Sequence, residues 1–484
     1  MSKENSLTRI TLIKNLFWKF SERMTSQVVT FIISVILARL LSPSDYGIIA
    51  IINVFISIAN TLVTSGFASS LIQKKDADEL DFSSIFFVNL LSSTFIYILL
   101  FFSSEAIARF YNIPELYLYL RVLGLQIIIY ALNSVQQAYL SKHMMFKNYF
   151  FSTLSGTIVS GMLGVFMAYL NFGVWALIFQ SLSSSIINAT VLWFMVKWRP
   201  IAKVSIYKIK TLFDFGWKML CSALLASAYE QITALLIGKV YSSADLAYYN
   251  RGQNYPSLLV TNINSSIDSI LFPAISNIQN DKKRVVMITR RAIQLSLFVL
   301  APMLVGLSVI AKPLILIMLT EKWLPCVPFL QLFCIYFLIK PIQTASLSAI
   351  QALGNSGLYL RLEFIKDLIG FILLLILIRY SVYLMTVSVI LANLVSVLVN
   401  AVFIKKEIGY SYINQLRDVF PYISIAIVMG LAIKPMVYLA DNLMVLLFFQ
   451  ITFGAIIYII GSVIFKVDAF IYILNLIKEK KNAK

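Results

Sequence analysis

Charge is scarce in this chain. Only 13% of its 484 residues are Asp, Glu, Lys or Arg, 60% are hydrophobic, and the mean hydropathy is +0.85. A soluble domain of this length needs far more polar surface, so a water-soluble globular protein is excluded and most of the chain belongs in lipid. Acids are the scarcer sign, 22 against 40 bases, for a net charge of +18. That excess would suit nucleic acid, but in a membrane protein Lys and Arg report topology first. Cysteine is almost missing: Cys221, Cys326 and Cys334 all fall in apolar stretches. Their placement excludes a disulfide framework and a Cys-x-x-Cys metal knuckle, and no metal site is expected. The one histidine, His143, lies between Lys142 and Lys147 in a loop, a poor place for a proton relay. No long hydrophilic stretch, nucleophile–base pair or phosphate-cradling glycine loop is present. The start, MSKENSLTRITLIKNLFWKF, has no small-residue cleavage site behind a short apolar core, so no cleavable signal is expected.

What the chain does have is apolar segments. Fourteen are read, near 16–40, 45–70, 80–104, 116–140, 147–169, 173–196, 208–238, 243–272, 286–310, 325–352, 358–379, 382–404, 418–439 and 443–465. Each is long enough for a helix to cross a hydrocarbon core about 30 Å thick. With the N-terminus inside, Lys74-Lys75, Lys142 with Lys147, Lys197 through Lys210, Lys282-Lys283-Arg284 with Arg290-Arg291, and Lys405-Lys406 all fall in cytoplasmic loops. Arg109, Lys322 and Lys434 are isolated bases on the outer side. The alternation follows the positive-inside rule through every crossing and puts both termini in the cytoplasm. Beyond the last crossing, Phe470 to Ile477 is too short to span and is followed by Lys478-Glu479-Lys480-Lys481. It reads as an amphipathic tail on the cytoplasmic surface, drawn to anionic headgroups.

The chain also repeats itself. Ile36 to Gly47, ILARLLSPSDYG, ends one apolar segment and turns into the next, with Ser and Asp able to cap the second helix. Gly238-Lys239 follows Ala38-Arg39 by 200 positions, Asp245 follows Asp45 by 200, and Trp217-Lys218 follows Trp18-Lys19 by 199. These offsets predict two parallel six-helix lobes related by an axis along the membrane normal. The predicted division is a first lobe at 1–196, a basic cytoplasmic linker at 197–210, a second lobe at 211–404, and two extra helices with the tail at 405–484. The fold class is therefore an all-α polytopic membrane protein.

Four runs carry a resemblance: LARLLSPSDYG, the IGK with a downstream LAYYNR, FPAISNIQND at 272–281 and QALGNSG at 351–357. The chain resembles the Wzx-like polysaccharide-export flippases, a branch of the multidrug/oligosaccharidyl-lipid/polysaccharide transporter superfamily. The resemblance covers essentially the whole chain. It implies two six-helix bundles around a central cavity and translocation of undecaprenyl-pyrophosphate-linked sugar repeat units across the bacterial inner membrane, for O-antigen, capsule or exopolysaccharide. It also implies lipid-linked oligosaccharide and membrane lipids as partners, with the polysaccharide polymerase machinery as a further one and nucleic acid excluded.

Such a headgroup needs a polar, cation-lined path. A base at membrane depth costs roughly 2.5–3.5 kcal/mol on insertion scales, so it marks a cavity or a partner. Lys19, Arg23, Gln27, Thr30 and Ser34 form one polar stripe along the first helix. Lys218, Ser222 and Tyr229 begin a similar face in the seventh. The eighth segment is the most polar, with Arg251, Asn254, Asn264 and Asp268 among its residues. The cationic cavity candidates are Lys19, Arg23, Lys218, Arg251 and Lys340, the last beside Pro341; Gln27, Asn254 and Asn264 are the polar ones. Lys19 and Lys218 also suit snorkelling toward the headgroups, and Arg251 suits an outer cap. Arg39 and Lys239 are expected to meet helix C-terminal carbonyls. Glu230 and Asp268 are candidates for H⁺ or Na⁺ coupling, with an internal ion pair as the plainer reading. Glu363, Lys366 and Asp367 read as a solvated face, and Gly156, Gly161 and Gly164 as a close helix crossing. No catalytic residue or organic cofactor is expected.

Two other classes compete. A membrane glycan polymerase or ligase would need a hydrophilic loop carrying its acid, base or clamp, which is missing. A drug or cation exporter should line its cavity with acids, whereas the charges at depth here lean basic. Fourteen crossings make positions near Lys203 and Asn280 cytoplasmic: cysteines placed there should react only with reagents on that side, and labelling from the periplasm would overturn the count.

Overall fold

In a computed structural model, residues 2–64, 71, 74, 77–438 and 442–482 are described, and all regular structure among them is helical. The long helices are α1 (Ser2–Leu40), α2 (Pro43–Thr64), α3 (Glu79–Tyr111), α4 (Leu116–Lys142), α5 (Phe146–Tyr169), α6 (Val174–Met195), α7 (Ile206–Val240), α8 (Ser243–Ser276), α9 (Lys282–Leu319), α10 (Val327–Ala352), α11 (Ser356–Leu377), α12 (Val382–Ile408), α13 (Tyr412–Ile433) and α14 (Leu443–Ile464). A final helix, α15, spans Asp468–Asn482. Among the described residues, twelve helices are long and apolar enough to cross a membrane. The other two expected crossings fall on α7 and α11, some of whose side chains lie outside the described residues, and the end of the second expected segment, at 65–70, lies outside them altogether.

The helix ends follow local chemistry. Ser205, Ser381 and Ser411 cap α7, α12 and α13 through their side chains, Asp281 caps α9, and Asn442 caps α14. Two turns repeat. α1 stops at Leu40 and α7 at Val240, while α2 starts at Pro43 and α8 at Ser243. In the first turn, Ser42 donates from its backbone and hydroxyl to Asp45 Oδ2 at 2.9 and 2.7 Å, and Asp45 N–H returns a bond of 3.3 Å to Ser42 Oγ. Ser242 and Asp245 repeat all three bonds at 3.1, 2.6 and 3.1 Å. This is a reciprocal capping box, present twice at an offset of 200 residues. The two turns also approach closely: a methyl added to Gly47 would lie 1.7 Å from the Ser243 carbonyl oxygen.

The chain falls into two compact units, Met1–Ala247 and Tyr248–Lys484. In the first, α3 packs on α4, α4 on α6 and α5 on α6. In the second, the same pattern recurs as α9 on α10, α10 on α12 and α11 on α12. α7, which the repeat assigns to the second copy, packs along α2 in the first unit. The glycines of α5 permit close crossings: an added methyl at Gly161 would meet Ile33 of α1 at 2.1 Å, and one at Gly164 would meet Gln180 of α6 at 2.9 Å.

The basic linker is held to the start of α3. Ile201 and Ser205 donate from their backbones to the hydroxyls of Ser83 and Ser84, each at 3.0 Å. Trp198 packs against Phe82 and stacks on Tyr139. Lys208 bonds to Asp78 and lies 3.6 Å from Asp81, which is fully buried and also holds Lys74 at 2.8 Å. The Lys208 ammonium, helped by the Asp81 N–H, holds the Asp78 carboxyl down at about 2.

In the second unit, α15 is tied to α9 and α13. Gln294 donates to Asp468 at 3.3 Å, and the Ala469 N–H donates to the Tyr422 hydroxyl at 3.2 Å. Because the two capping boxes share one geometry, Asp45→Ala and Asp245→Ala should each cost about 1 kcal/mol. The reading is a lowered melting temperature of the purified protein in detergent, similar for both; an unmoved melting temperature in either would remove that cap from the account.

Candidate functional site

The polar stripe of α1 lies off the surface that packs on α5. Trp18 meets Phe150 and Phe151 at 5.4 and 6.0 Å between ring centroids, and Ile33 fills the space beside Gly161. Arg23 and Thr30 are exposed, with Gln27 and Ser34 half-buried among them. Within a span this apolar, an exposed row of polar groups is costly against hydrocarbon and economical against water or a polar ligand. α2 carries a shorter row, with Asn53 exposed and Ser57 and Asn60 half-buried.

α8 sorts its polar residues onto two sides. Toward α10, Gly252 brings the backbones close: an added methyl would meet Phe329 at 2.5 Å, and Tyr249 packs its ring against Phe329 and Phe333. On the other side Asn254, Thr261 and Ser265 are exposed, and Ser257 and Thr261 hydroxyls lie 3.4 Å apart. Spacings of three and four make these a second polar row. Asn264 is buried, and its Oδ1 has no partner among the described residues.

The other predicted residues divide. Arg251 is buried, its guanidinium 5.3 Å from the centre of the Trp323 ring, which anchors it inside the second unit. Lys340 is half-buried, with its ammonium 5.9 Å from the Tyr336 ring. Glu230 is exposed on α7. The side chains of Lys19, Lys218, Ser222, Tyr229 and Asp268 lie outside the described residues. Lys239 does meet a helix C-terminal carbonyl, that of Phe110 at the end of α3, while its ammonium sits 4.3 Å from the Phe110 ring.

One expectation needs correction. Glu363, Lys366 and Asp367 are not a solvated face: their side chains are 29%, 18% and 29% exposed. Lys366 sits 2.5 Å from Glu363 and 3.5 Å from Asp367, so one ammonium offsets two neighbouring carboxylates on a single helix.

Sequence reasoning missed an apolar cavity of about 420 Å³ between α9, α13 and α14. Phe298, Met303, Ile310, Met429 and Tyr458 line it, and Gly306 and Gly454 leave it room. Apolar side chains facing a groove look the same in sequence as those facing lipid; the two glycines are the only signal.

Relatives agree with this architecture. An uncharacterized membrane protein of the cps region of Klebsiella pneumoniae is 26% identical over 75% of each chain. The succinoglycan biosynthesis transport protein ExoT of Rhizobium meliloti (strain 1021) is 24% identical over 67% of this chain and 66% of its own. Among solved structures, the lipid II flippase MurJ in an inward closed conformation superposes with a TM-score of 0.74. At 18% identity it covers 93% of this chain and 99% of its own, a likeness of fold. The family model described as "Polysaccharide biosynthesis protein" matches residues 36–328, starting at the ILARLLSPSDYG turn. More than half the chain lies within that match, and the chain belongs to the polysaccharide biosynthesis protein family.

Proposed function

We propose that this protein is a Wzx-like flippase. It carries undecaprenyl-pyrophosphate-linked oligosaccharide repeat units from the cytoplasmic to the periplasmic leaflet of the bacterial inner membrane, for assembly of a surface polysaccharide. The observation that carries the reading is the polar stripe of Arg23, Gln27, Thr30 and Ser34, exposed at Arg23 and Thr30, on a membrane-spanning helix, in a chain of this family. A relative named as a succinoglycan biosynthesis transport protein supports it, and supports reading the protein as a transporter and not an enzyme.

In this reading the charged headgroup moves along the polar faces of α1, α2 and α8, with Lys19, Arg23, Lys218 and Lys340 as its cations. Arg251 braces its own unit. The polyprenyl tail stays in hydrocarbon, and the apolar groove of α9, α13 and α14 offers it a place against the protein. Both termini lie in the cytoplasm, where basic loops raise the local concentration of an anionic headgroup. Transport proceeds by alternating access, the lobes opening first inward and then outward. A membrane potential negative inside favours outward movement of negative charge by about 2.3 kcal/mol per charge per 100 mV, so ion coupling is not required by energetics. Where coupling exists, Glu230 and Asp268 are the groups to hold H⁺ or Na⁺, and the ion must favour one state over the other. The polymerase machinery is the natural recipient of the product.

A charge-assisted bond between Arg23 and pyrophosphate is worth about 2 kcal/mol. Arg23→Ala should therefore lower polymer export by more than about tenfold at unchanged protein abundance, and Arg23→Lys should restore part. Polymer on the cell surface, quantified against the amount of protein in the membrane, gives the answer. Full export by the alanine variant would remove Arg23 from the path.

A further inference from the structure

A polar cavity of about 340 Å³ lies where α15 crosses the first turns of α9. Arg290, Arg291 and Gln294 face it from α9, and Asp468, Tyr472 and Asn475 from α15. It shares no residue with the polar rows of α1, α2 and α8.

The charges around it, two guanidiniums against Asp418 and Asp468, balance in number but do not pair one to one. Arg290 is taken up: its Nη2 is 2.6 Å from Asp418 Oδ1 and 3.7 Å from Asp468 Oδ2. Both carboxylates have further partners, since the Tyr410 hydroxyl donates to Asp418 at 2.8 Å and the Gln294 amide to Asp468 at 3.3 Å. Arg291 differs. Its guanidinium lies over the Tyr472 ring, 4.7 Å from the centroid, and among the described residues no carboxylate is within ion-pair distance of it. A ring against the face of a guanidinium leaves the N–H donors of its edge for an acceptor oxygen. The Asn475 amide adds donors on the opposite wall.

The rim has the opposite character. Met287 and Ile471 border the cavity and are 43% and 40% exposed. The pocket thus pairs a guanidinium, with no carboxylate in ion-pair distance among the described residues, with exposed apolar side chains, at the basic end of a membrane-spanning helix and under an amphipathic helix. A ligand matching both halves is anionic at one end and hydrocarbon at the other. We infer that this cavity holds the phosphate of an anionic phosphoglyceride, with its acyl chains running over Met287 and Ile471. Basic pockets of this kind beside membrane helices take anionic headgroups. The leaflet, cytoplasmic, rests on the proposed orientation; the binding does not.

The test uses intact, delipidated protein in detergent, offered equal amounts of phosphatidylglycerol and phosphatidylethanolamine and read by native mass spectrometry. Phosphatidylglycerol should be retained in preference, and Arg291→Gln should cut its retention about fivefold. Lys282→Gln, which removes an exposed base elsewhere on α9, should leave it unchanged. Tyr472→Leu, which removes the ring and keeps the guanidinium, should preserve the preference, separating lipid binding from the docking of α15. Equal retention of the two lipids by the parent protein overturns the proposal without any variant, and so does an undiminished preference in Arg291→Gln. Displacement of the lipid by glycerol 3-phosphate or inorganic phosphate would assign the pocket to a soluble anion and overturn the lipid. Loss of this site with polymer export intact would leave the transport reading standing.

Discussion

A backbone amide or side-chain charge turned toward hydrocarbon has nothing to bond to, at a cost of several kcal/mol for each unmet group. That cost shapes this molecule at every level. It makes each crossing a helix, so that backbone bonds close within the segment. It places polar residues in caps at helix ends, such as the paired Ser42–Asp45 and Ser242–Asp245 boxes. Polar groups that remain at depth must bridge or be wetted. Gln126 donates to Ser185 at 2.6 Å between α4 and α6, and Gln343 to Ser396 at 2.6 Å between α10 and α12, so the same amide-to-serine bridge ties corresponding helix pairs of the two units. The polar rows of α1 and α8 lie along helices that are otherwise apolar, and for that reason they, and not the many aromatic residues, carry the functional reading.

Packing in such a protein has little hydrophobic drive of its own, because lipid tails are as apolar as leucine. Close approach takes over. Gly47 against the Ser243 carbonyl, Gly252 against Phe329 and Gly161 against Ile33 each bring a backbone where no side chain would fit. The charged contacts sit at the ends, where water and headgroups begin. Asp81, fully buried between Lys74 and Lys208, fastens the linker to α3; Asp418, between Arg290 and Tyr410, ties α13 to α9 in the second unit.

Much of the fold was legible because hydropathy and turn chemistry are local. The segment read near 147–169 became Phe146–Tyr169, and that near 443–465 became Leu443–Ile464. The 200-residue offset found in Asp45 and Asp245 reappeared as identical hydrogen bonds. Where the reading fell short, hydropathy had stopped but helical bonding had not. α3 runs on past the expected end at 104 to Tyr111, because Ser104 and Glu105 are met by Arg121 at 3.0 and 2.9 Å. α9 extends at both ends and contains Pro302 and Pro313, which local rules would read as breaks. The polar stripe on α1 was legible, since helical spacing is visible in one segment. The fastening of the linker by Ser83 and Ser84, the shelter of Glu363–Lys366–Asp367 and the groove beside α13 were not, because their partners are remote in sequence or indistinguishable from lipid-facing residues.

The central claim is that the protein moves a lipid-linked glycan headgroup across a bilayer. The most direct measurement reconstitutes it in vesicles holding polyprenyl-pyrophosphate oligosaccharide in the inner leaflet, with the membrane potential clamped and pH and Na⁺ gradients varied separately. A membrane-impermeant reagent then reports the headgroups that reach the outside. Headgroups should emerge faster than in protein-free vesicles, and faster still when the potential drives negative charge outward. Emergence at the protein-free rate, under every gradient, would contradict the central claim.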